Sequence, residues 1–248
     1  MDEYGPSTYG DRIAEVYDEW FPESSRAGDV DAAVSFLREL AAAGPALELG
    51  IGTGRMAVPL HRDGVEVHGI DASEAMLAKL RTKEGAASIA TSVADFRDFE
   101  LVPRFKLTYV VFNTFFALPT QDDQVRCFQA VARHLTADGV FVVEAFVPDV
   151  SRFDRGQRVS ALEAGVDEVR LEVSTHDAIA QRTESHHVVI SESGIRLYPV
   201  RIRYAPVAEL DLMARLAGLR LRERWADWDR SKLASTSQKH ISVWEVDR

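Results

Sequence analysis

Between Ala46 and Arg55 the chain reads Ala-Leu-Glu-Leu-Gly-Ile-Gly-Thr-Gly-Arg, with glycines at 50, 52 and 54. An apolar run ends at Leu49, three glycines alternate, and an amphipathic segment starts at Arg55. The local reading is strand, tight turn, helix. Glycine takes positive φ without strain and lets a ligand lie against bare main chain. The helix that follows would aim free N–H groups at that ligand. A second apolar run, 65–70, ends at Asp71. A carboxylate at the tip of the neighbouring strand is well placed to accept hydrogen bonds from both hydroxyls of a ribose.

The pattern then repeats. Strands are expected at 46–49, 65–70, 88–93, 107–112 and 140–146, and helices at 55–62 and 73–83. A further helix is expected to open at Thr120, with Asp123 as its capping-box partner. Strands alternating with helices at this spacing predict a parallel sheet covered by helices on both faces. Ligands of such sheets bind beyond the carboxyl ends of the strands, where Gly50, Asp71, Asp95, Asn113 and Phe146 fall. Residues 166–176, 181–191 and 195–204 read as β-runs with no helix between them, only turns at Asp177-Ala178 and Ser193-Gly194. They predict an antiparallel insertion. A helix over 206–217, stopped by Gly218, and strands 219–226 and 240–246 close the sheet. At the other end Tyr9, Ile13, Val16, Tyr17 and Trp20 share a helical spacing, and Asp29 is expected to cap the next helix, which stops at Gly44. The expected fold class is thus α/β: a seven-stranded, mostly parallel Rossmann-like sheet with an antiparallel β insertion after the fifth strand. Its parts are an N-terminal helical lid (1–43), a core (44–150 and 205–248) and the insertion (151–204) over the substrate site.

The glycines are spaced Gly-x-Gly-x-Gly and preceded by Glu48, whereas a dinucleotide fold wants Gly-x-Gly-x-x-Gly. Together with Asp71 and Asp95-Phe96, this order resembles the class I S-adenosylmethionine-dependent methyltransferases, from about Tyr9 onward. The layout is similar to that of bacterial small-molecule methyltransferases of secondary metabolism. The resemblance implies S-adenosylmethionine as cofactor and S-adenosylhomocysteine as product. It implies that Gly50, Gly52 and Gly54 lie under the methionine and ribose, that Glu48 orients the loop, and that Arg55 joins the cofactor-binding set. Asp71 would hold the ribose, with Ala72 and Met76 near the adenine. Asp95 would accept from the adenine amino group, Phe96 would pack near the ring, and Phe112 and Asn113 would approach the sulfur. Tyr17-Asp18 matches the segment that crosses the methionine end. Asn113 is followed by Thr-Phe-Phe, not Pro-Pro-aromatic, so the DNA and protein amide N-methyltransferase pattern is absent. A histidine that some amino-sugar enzymes carry soon after this position is missing too. Oxygen, nitrogen and carbon acceptors all stay open.

For the acceptor side, Trp20, Phe115, Phe116, Leu118 and Phe146 are apolar residues expected near the rim, and Arg201 is a basic residue able to clamp an anionic acceptor. Candidate proton acceptors are His176 and His186 of the insertion, with Tyr17 from the lid. No His/Cys/Asp/Glu cluster has metal-ligand spacing, so no metal is expected. A net charge of −10 disfavours a phosphate backbone as partner. One cysteine, an opening Met-Asp-Glu-Tyr without basic or apolar character, and no apolar run of membrane-spanning length lead to an expected cytoplasmic location. The expected partner is a small-molecule acceptor, with the chain a monomer or homodimer. The rival readings are a non-catalytic S-adenosylmethionine-binding sensor or partner subunit and a nicotinamide-dependent reductase, which the glycine spacing disfavours.

Overall fold

The computed structural model describes residues 3–22 and 27–247. Residues 1, 2 and 23–26 of the expected lid, and Arg248 of the expected core, lie outside the described residues. The elements in order are α1 (Thr8–Ile13), α2 (Tyr17–Trp20), α3 (Ala27–Ala41), β1 (Ala46–Leu49), α4 (Ala57–Arg62), β2 (Val67–Asp71) and α5 (Glu74–Arg81). Then come β3 (Ala90–Val93), β4 (Phe105–Val110), α6 (Gln121–His134), β5 (Leu135–Phe146), β6 (Gln157–Ala164), β7 (Glu168–Asp177), β8 (Arg182–Ser191) and β9 (Gly194–Arg203). The chain finishes with α7 (Val207–Leu216), β10 (Leu219–Trp225) and β11 (Lys239–Val246).

The main sheet has seven strands in the order β10-β11-β5-β4-β1-β2-β3. Strands β1 to β5 pair in parallel, while β11 runs antiparallel to both β5 and β10. Each central strand is apolar on both faces, because helices cover both. Val140 and Val142 of β5 join the core that also contains α3. Phe141 and Val143, one residue out of phase, join Phe128 of α6 and Trp244 of β11 on the opposite side. The expected caps form: Ser73 Oγ accepts from Met76 N, and Thr120 Oγ1 accepts from Asp123 N. Among the described residues no helix is long and apolar enough to cross a membrane.

Four local expectations need correction. The stretch from Tyr9 to Trp20 makes two short helices, because Val16 N bonds back only three residues, to Ile13 O, and this tight turn breaks the α register. Asp29 lies in the first turn of α3, where it suits the positive end of the helix dipole, and is not the cap. Ala42, at φ 50°, takes the left-handed conformation after α3 in place of Gly44. The insertion has four strands, β6-β7-β8-β9, each antiparallel to the next; β6 is an exposed edge strand with too little apolar alternation to be seen beforehand.

The glycine turn depends on a second glycine outside the motif. A Cβ on Gly69 of β2 would stand 2.2 Å from Ile51 Cδ1 and 2.8 Å from Ile51 Cβ. Gly69→Ala is therefore expected to lower stability by about 1–3 kcal/mol, the usual cost of overpacking. A urea melt with no shift in midpoint would contradict this packing.

Candidate active site

Five strand ends meet at one rim. Gly50 after β1, Asp71 at the tip of β2, Asp95 after β3, Asn113 after β4 and Phe146 at the tip of β5 all line a cavity of about 470 Å³. Glu48, Gly52, Arg55, Ala72, Met76, Phe96 and Phe112 line it as well. Gly50 and Gly52 have φ of +69° and +55°. A Cβ on Gly50 would lie 2.5 Å from Thr114 Cγ2, so the loop can pass there only as glycine.

Two carboxylates set the electrostatics beneath this loop. Asp71 accepts from Gly52 N through Oδ2 and from Ser73 N through Oδ1, each at 2.8 Å. Those bonds tie the tip of β2 to the glycine turn and to the start of α5, and each oxygen keeps a lone pair for a ligand hydroxyl. Burial raises the Asp71 pKa against the pull of these donors. Glu48 is more deeply placed: it accepts from Tyr109 Oη at 2.9 Å, and burial pushes its carboxyl up to about 8. Asp95 is held by Arg97, whose guanidinium lies 2.9 Å from its Oδ2 and 3.3 Å from Asp123.

Strain concentrates after β4. Phe112 and Asn113 both take left-handed φ, +56° and +65°, which for a bulky residue such as phenylalanine costs on the order of 1–3 kcal/mol. The surroundings hold them there. Glu144 of β5 accepts from Phe112 N at 2.5 Å, and Asn113 Oδ1 accepts from Phe146 N at 2.7 Å. The result is that the Phe112 ring lies under the Arg55 guanidinium, 3.5 Å from centroid to Cζ. Tyr17 and Phe21 flank the same guanidinium at 5.7 and 5.6 Å, and its buried Nε has no hydrogen-bond partner among the described residues.

The N-terminal segment closes the cavity from above. Thr53 Oγ1 donates to Asp18 Oδ1 at 2.7 Å, and Lys83 Nζ reaches the same oxygen at 2.9 Å. Ser73 Oγ donates to Asp11 at 2.7 Å, while Tyr4 Oη accepts from Arg201 N at 3.3 Å. The segment thus bridges the glycine loop and the insertion. Tyr4, Tyr9 and Tyr17 line the cavity, and burial raises the pKa of each, so all three stay phenols.

Several residues expected at the site stand elsewhere. Gly54 packs against α5, where a Cβ would meet Leu80 Cδ1 at 2.2 Å. Phe115 and Phe116 are wholly buried in the sheet core, because the 3-10 turn Thr114–Ala117 rolls them inward. Trp20 stacks edge-on against Tyr198, 4.8 Å away, and does not line this cavity. His176 bonds to Tyr204 Oη at 2.8 Å and stacks on Phe153, and His186 points to the far face of β8. The adjacent His187 stands on the cavity wall, where burial lowers its pKa and its Nδ1 has no hydrogen-bond partner among the described residues. Arg201 and Leu118 do line the cavity. Tyr4, Tyr9, Thr53, Arg97, Val200 and Ile202 join them with no motif to announce them; only the helical spacing at Tyr9 hinted at a lid.

Comparison with known proteins agrees with this geometry. The model of the methyltransferase domain family matches residues 46–139. The chain is 30% identical over 194 residues to the dTDP-3-amino-3,6-dideoxy-alpha-D-glucopyranose N,N-dimethyltransferase of Streptomyces fradiae, covering 75% of this chain and 74% of that one. It belongs to the class I S-adenosylmethionine-dependent methyltransferases. The methyltransferase is also 29% identical over 215 residues to the cypemycin N-terminal methyltransferase of a Streptomyces species, covering 86% and 87% of the two chains. It superposes on the CcbJ methyltransferase of Streptomyces caelestis with a TM-score of 0.92 and 43% identity, over 99% of this chain and all of the other. The methyltransferase is therefore an enzyme that transfers the methyl group of S-adenosylmethionine to a small molecule. The glycine cradle, the spare lone pairs of Asp71 and the unpartnered Arg55 Nε suit the cofactor's ribose and amino-acid ends.

The raised pKa of Glu48 makes stability depend on pH. The folded protein binds a proton, up to about 8, that an unfolded chain releases near its ordinary 4.5. This group's contribution is full below the lower value and is lost as pH rises through the upper one. Glu48→Gln is expected to flatten the fall in melting temperature over this range. Parallel pH slopes for the two proteins would contradict a buried proton at Glu48.

Proposed function

We propose that this methyltransferase methylates an amine nitrogen of a small secondary metabolite, and that the acceptor enters between Phe146 and the inner face of the insertion. One observation carries the reading. A second cavity of about 180 Å³ adjoins the first and shares Phe146, His187, Val200 and Ile202 with it. Its polar end holds Glu172, Thr183, Ser185 and Tyr204. Glu172 Oε1 accepts from Ser174 Oγ at 2.9 Å, and Ser174 in turn contacts Ser185 Oγ at 2.8 Å. Glu172 Oε2 has no donor among the described residues, and a carboxylate in that position suits an acceptor that arrives as a cation. Two of the three relatives named above are described as an N-terminal methyltransferase and an N,N-dimethyltransferase, which supports nitrogen over oxygen or carbon.

Bound S-adenosylmethionine supplies an activated methyl group and a neutral leaving group. The residues proposed to hold it are Gly50, Gly52 and Asp71 for the ribose, Asp95 and Phe96 for the adenine, and Arg55 with Tyr17 for the amino-acid end. The chain's remaining task is alignment and proton removal. Tyr17, kept a phenol by burial, serves better as a positioning donor than as a base. His187, kept neutral by burial, is the better acceptor for the proton that an incoming ammonium must lose before its nitrogen lone pair takes the methyl carbon and the carbon–sulfur bond breaks. A cytoplasmic enzyme is consistent with a free, buried Cys127.

Three outcomes are expected. Asp71→Ala weakens S-adenosylhomocysteine binding by about 1–3 kcal/mol in calorimetry, the cost of losing a charged acceptor; unchanged affinity would remove its ribose role. With a panel of amine and alcohol metabolites, mass spectrometry should find methylation on nitrogen only. Glu172→Gln should raise KM for the amine severalfold while cofactor affinity holds. Methyl transfer to oxygen or carbon instead would overturn the amine assignment.

A further inference from the structure

Trp20 belongs to the N-terminal segment, yet its ring contacts lie on the insertion. The indole sits 6.0 Å from the His187 imidazole, centroid to centroid, tilted by 43°. The Tyr198 ring meets it edge-on, and the Arg170 guanidinium lies 5.1 Å over it. Strand register explains why these three residues face one indole. His187 of β8 pairs with Tyr198 of β9, and Arg170 of β7 pairs with Val189, two residues from His187 and so on the same face. Arg170 is held in turn by Glu163 and Glu168. His187 lines both cavities and Trp20 lines neither, so the indole backs the imidazole from the side away from the ligands. The buried Nδ1 of His187 has no hydrogen-bond partner among the described residues, which leaves ring packing to orient it. The start of α2 touches the cofactor loop instead. Asp18 accepts from Thr53 Oγ1, beside Gly52, and from Lys83, while Tyr17 flanks Arg55. A helix of four residues does not hold its own place, so these two sets of contacts decide where Trp20 stands.

We propose that Trp20 is a positioning residue for methyl transfer: seated by the Asp18–Thr53 contact, it fixes the His187 ring at the junction of the two cavities and keeps water from it. This role rests on the reading in which His187 takes the acceptor's proton. Two effects follow from the contact. An aromatic wall strips solvent from the imidazole and disfavours its charged form, and burial is the largest cause of the lowered His187 pKa. The wall also restricts rotation of the ring, so its lone pair is aimed before the acceptor arrives. Charges on the neighbouring elements pull both ways. Glu172 of β7 favours the imidazolium and Arg170 opposes it. Asp149 and Arg152 stand across the second cavity, and Glu48, Arg55, Asp71, Asp95, Arg97 and Arg201 line the first. Through α2 the cofactor loop is thus tied to the group that serves the acceptor.

The test is a proton NMR titration of the full chain with S-adenosylhomocysteine bound, the His187 ring signal being the one lost in His187→Asn. Trp20→Ala should move the His187 midpoint upward, toward the ordinary 6.5, and lower kcat by roughly tenfold or more. Trp20→Phe keeps an aromatic wall and should restore most of both. Asp18→Ala frees α2 from the glycine loop without touching the insertion, and should shift the midpoint in the same direction as Trp20→Ala. A midpoint that does not move in Trp20→Ala overturns the proposal. So does a fall in kcat that Trp20→Phe leaves just as large. His187→Asn with the wild-type kcat would instead overturn the proton-acceptor reading, and this role with it, even where the titration had moved.

Discussion

The Asp71 carboxylate is the constraint on which the site rests. It closes β2, accepts from Gly52 of the glycine turn and from Ser73 at the cap of α5, and so joins three elements at one point. Ser73 then reaches Asp11 of α1, and Thr53, beside Gly52, reaches Asp18 of α2. The N-terminal segment is therefore fastened to the residues that shape the floor of the cavity. A buried acid held by backbone donors is costly to desolvate, and it stays because each donor would otherwise be buried without a partner.

A second region of stored cost lies after β4. Phe112 and Asn113 occupy left-handed backbone held from β5 by Glu144, which accepts from Phe112 N, and by Phe146 N, which donates to Asn113 Oδ1. In return the Phe112 ring forms the floor of an aromatic box around Arg55. Backbone strain balanced by buried hydrogen bonds is common where geometry serves a ligand more than it serves folding. The insertion extends the same logic. It turns Glu172, Thr183 and Ser185 toward the second cavity.

The alternating strands and helices, the position of the glycine turn and the five rim residues were all legible in the sequence. Each follows from local periodicity and from the rule that parallel strands end on one side of a sheet. Edge strand β6 was not legible, because an exposed strand need not alternate. Nor was the choice among histidines. His186 and His187 are neighbours in the chain, and only the pairing of β8 with β7 and β9 sends His187 to the cavity and His186 away from it. Phe115 and Phe116 looked suited to an acceptor pocket by type, yet a short 3-10 turn commits both to the core.

What the sequence determined by itself is the order of the elements and the cofactor loop, since hydrophobic period and glycine spacing are properties of a few consecutive residues. The tertiary structure alone decided which distant side chains share a wall. Tyr4 reaches Arg201, Asp18 reaches Thr53, and Glu172 shares a second cavity with Phe146. No local pattern encodes such pairs, because they depend on how sheet, lid and insertion pack after each has formed.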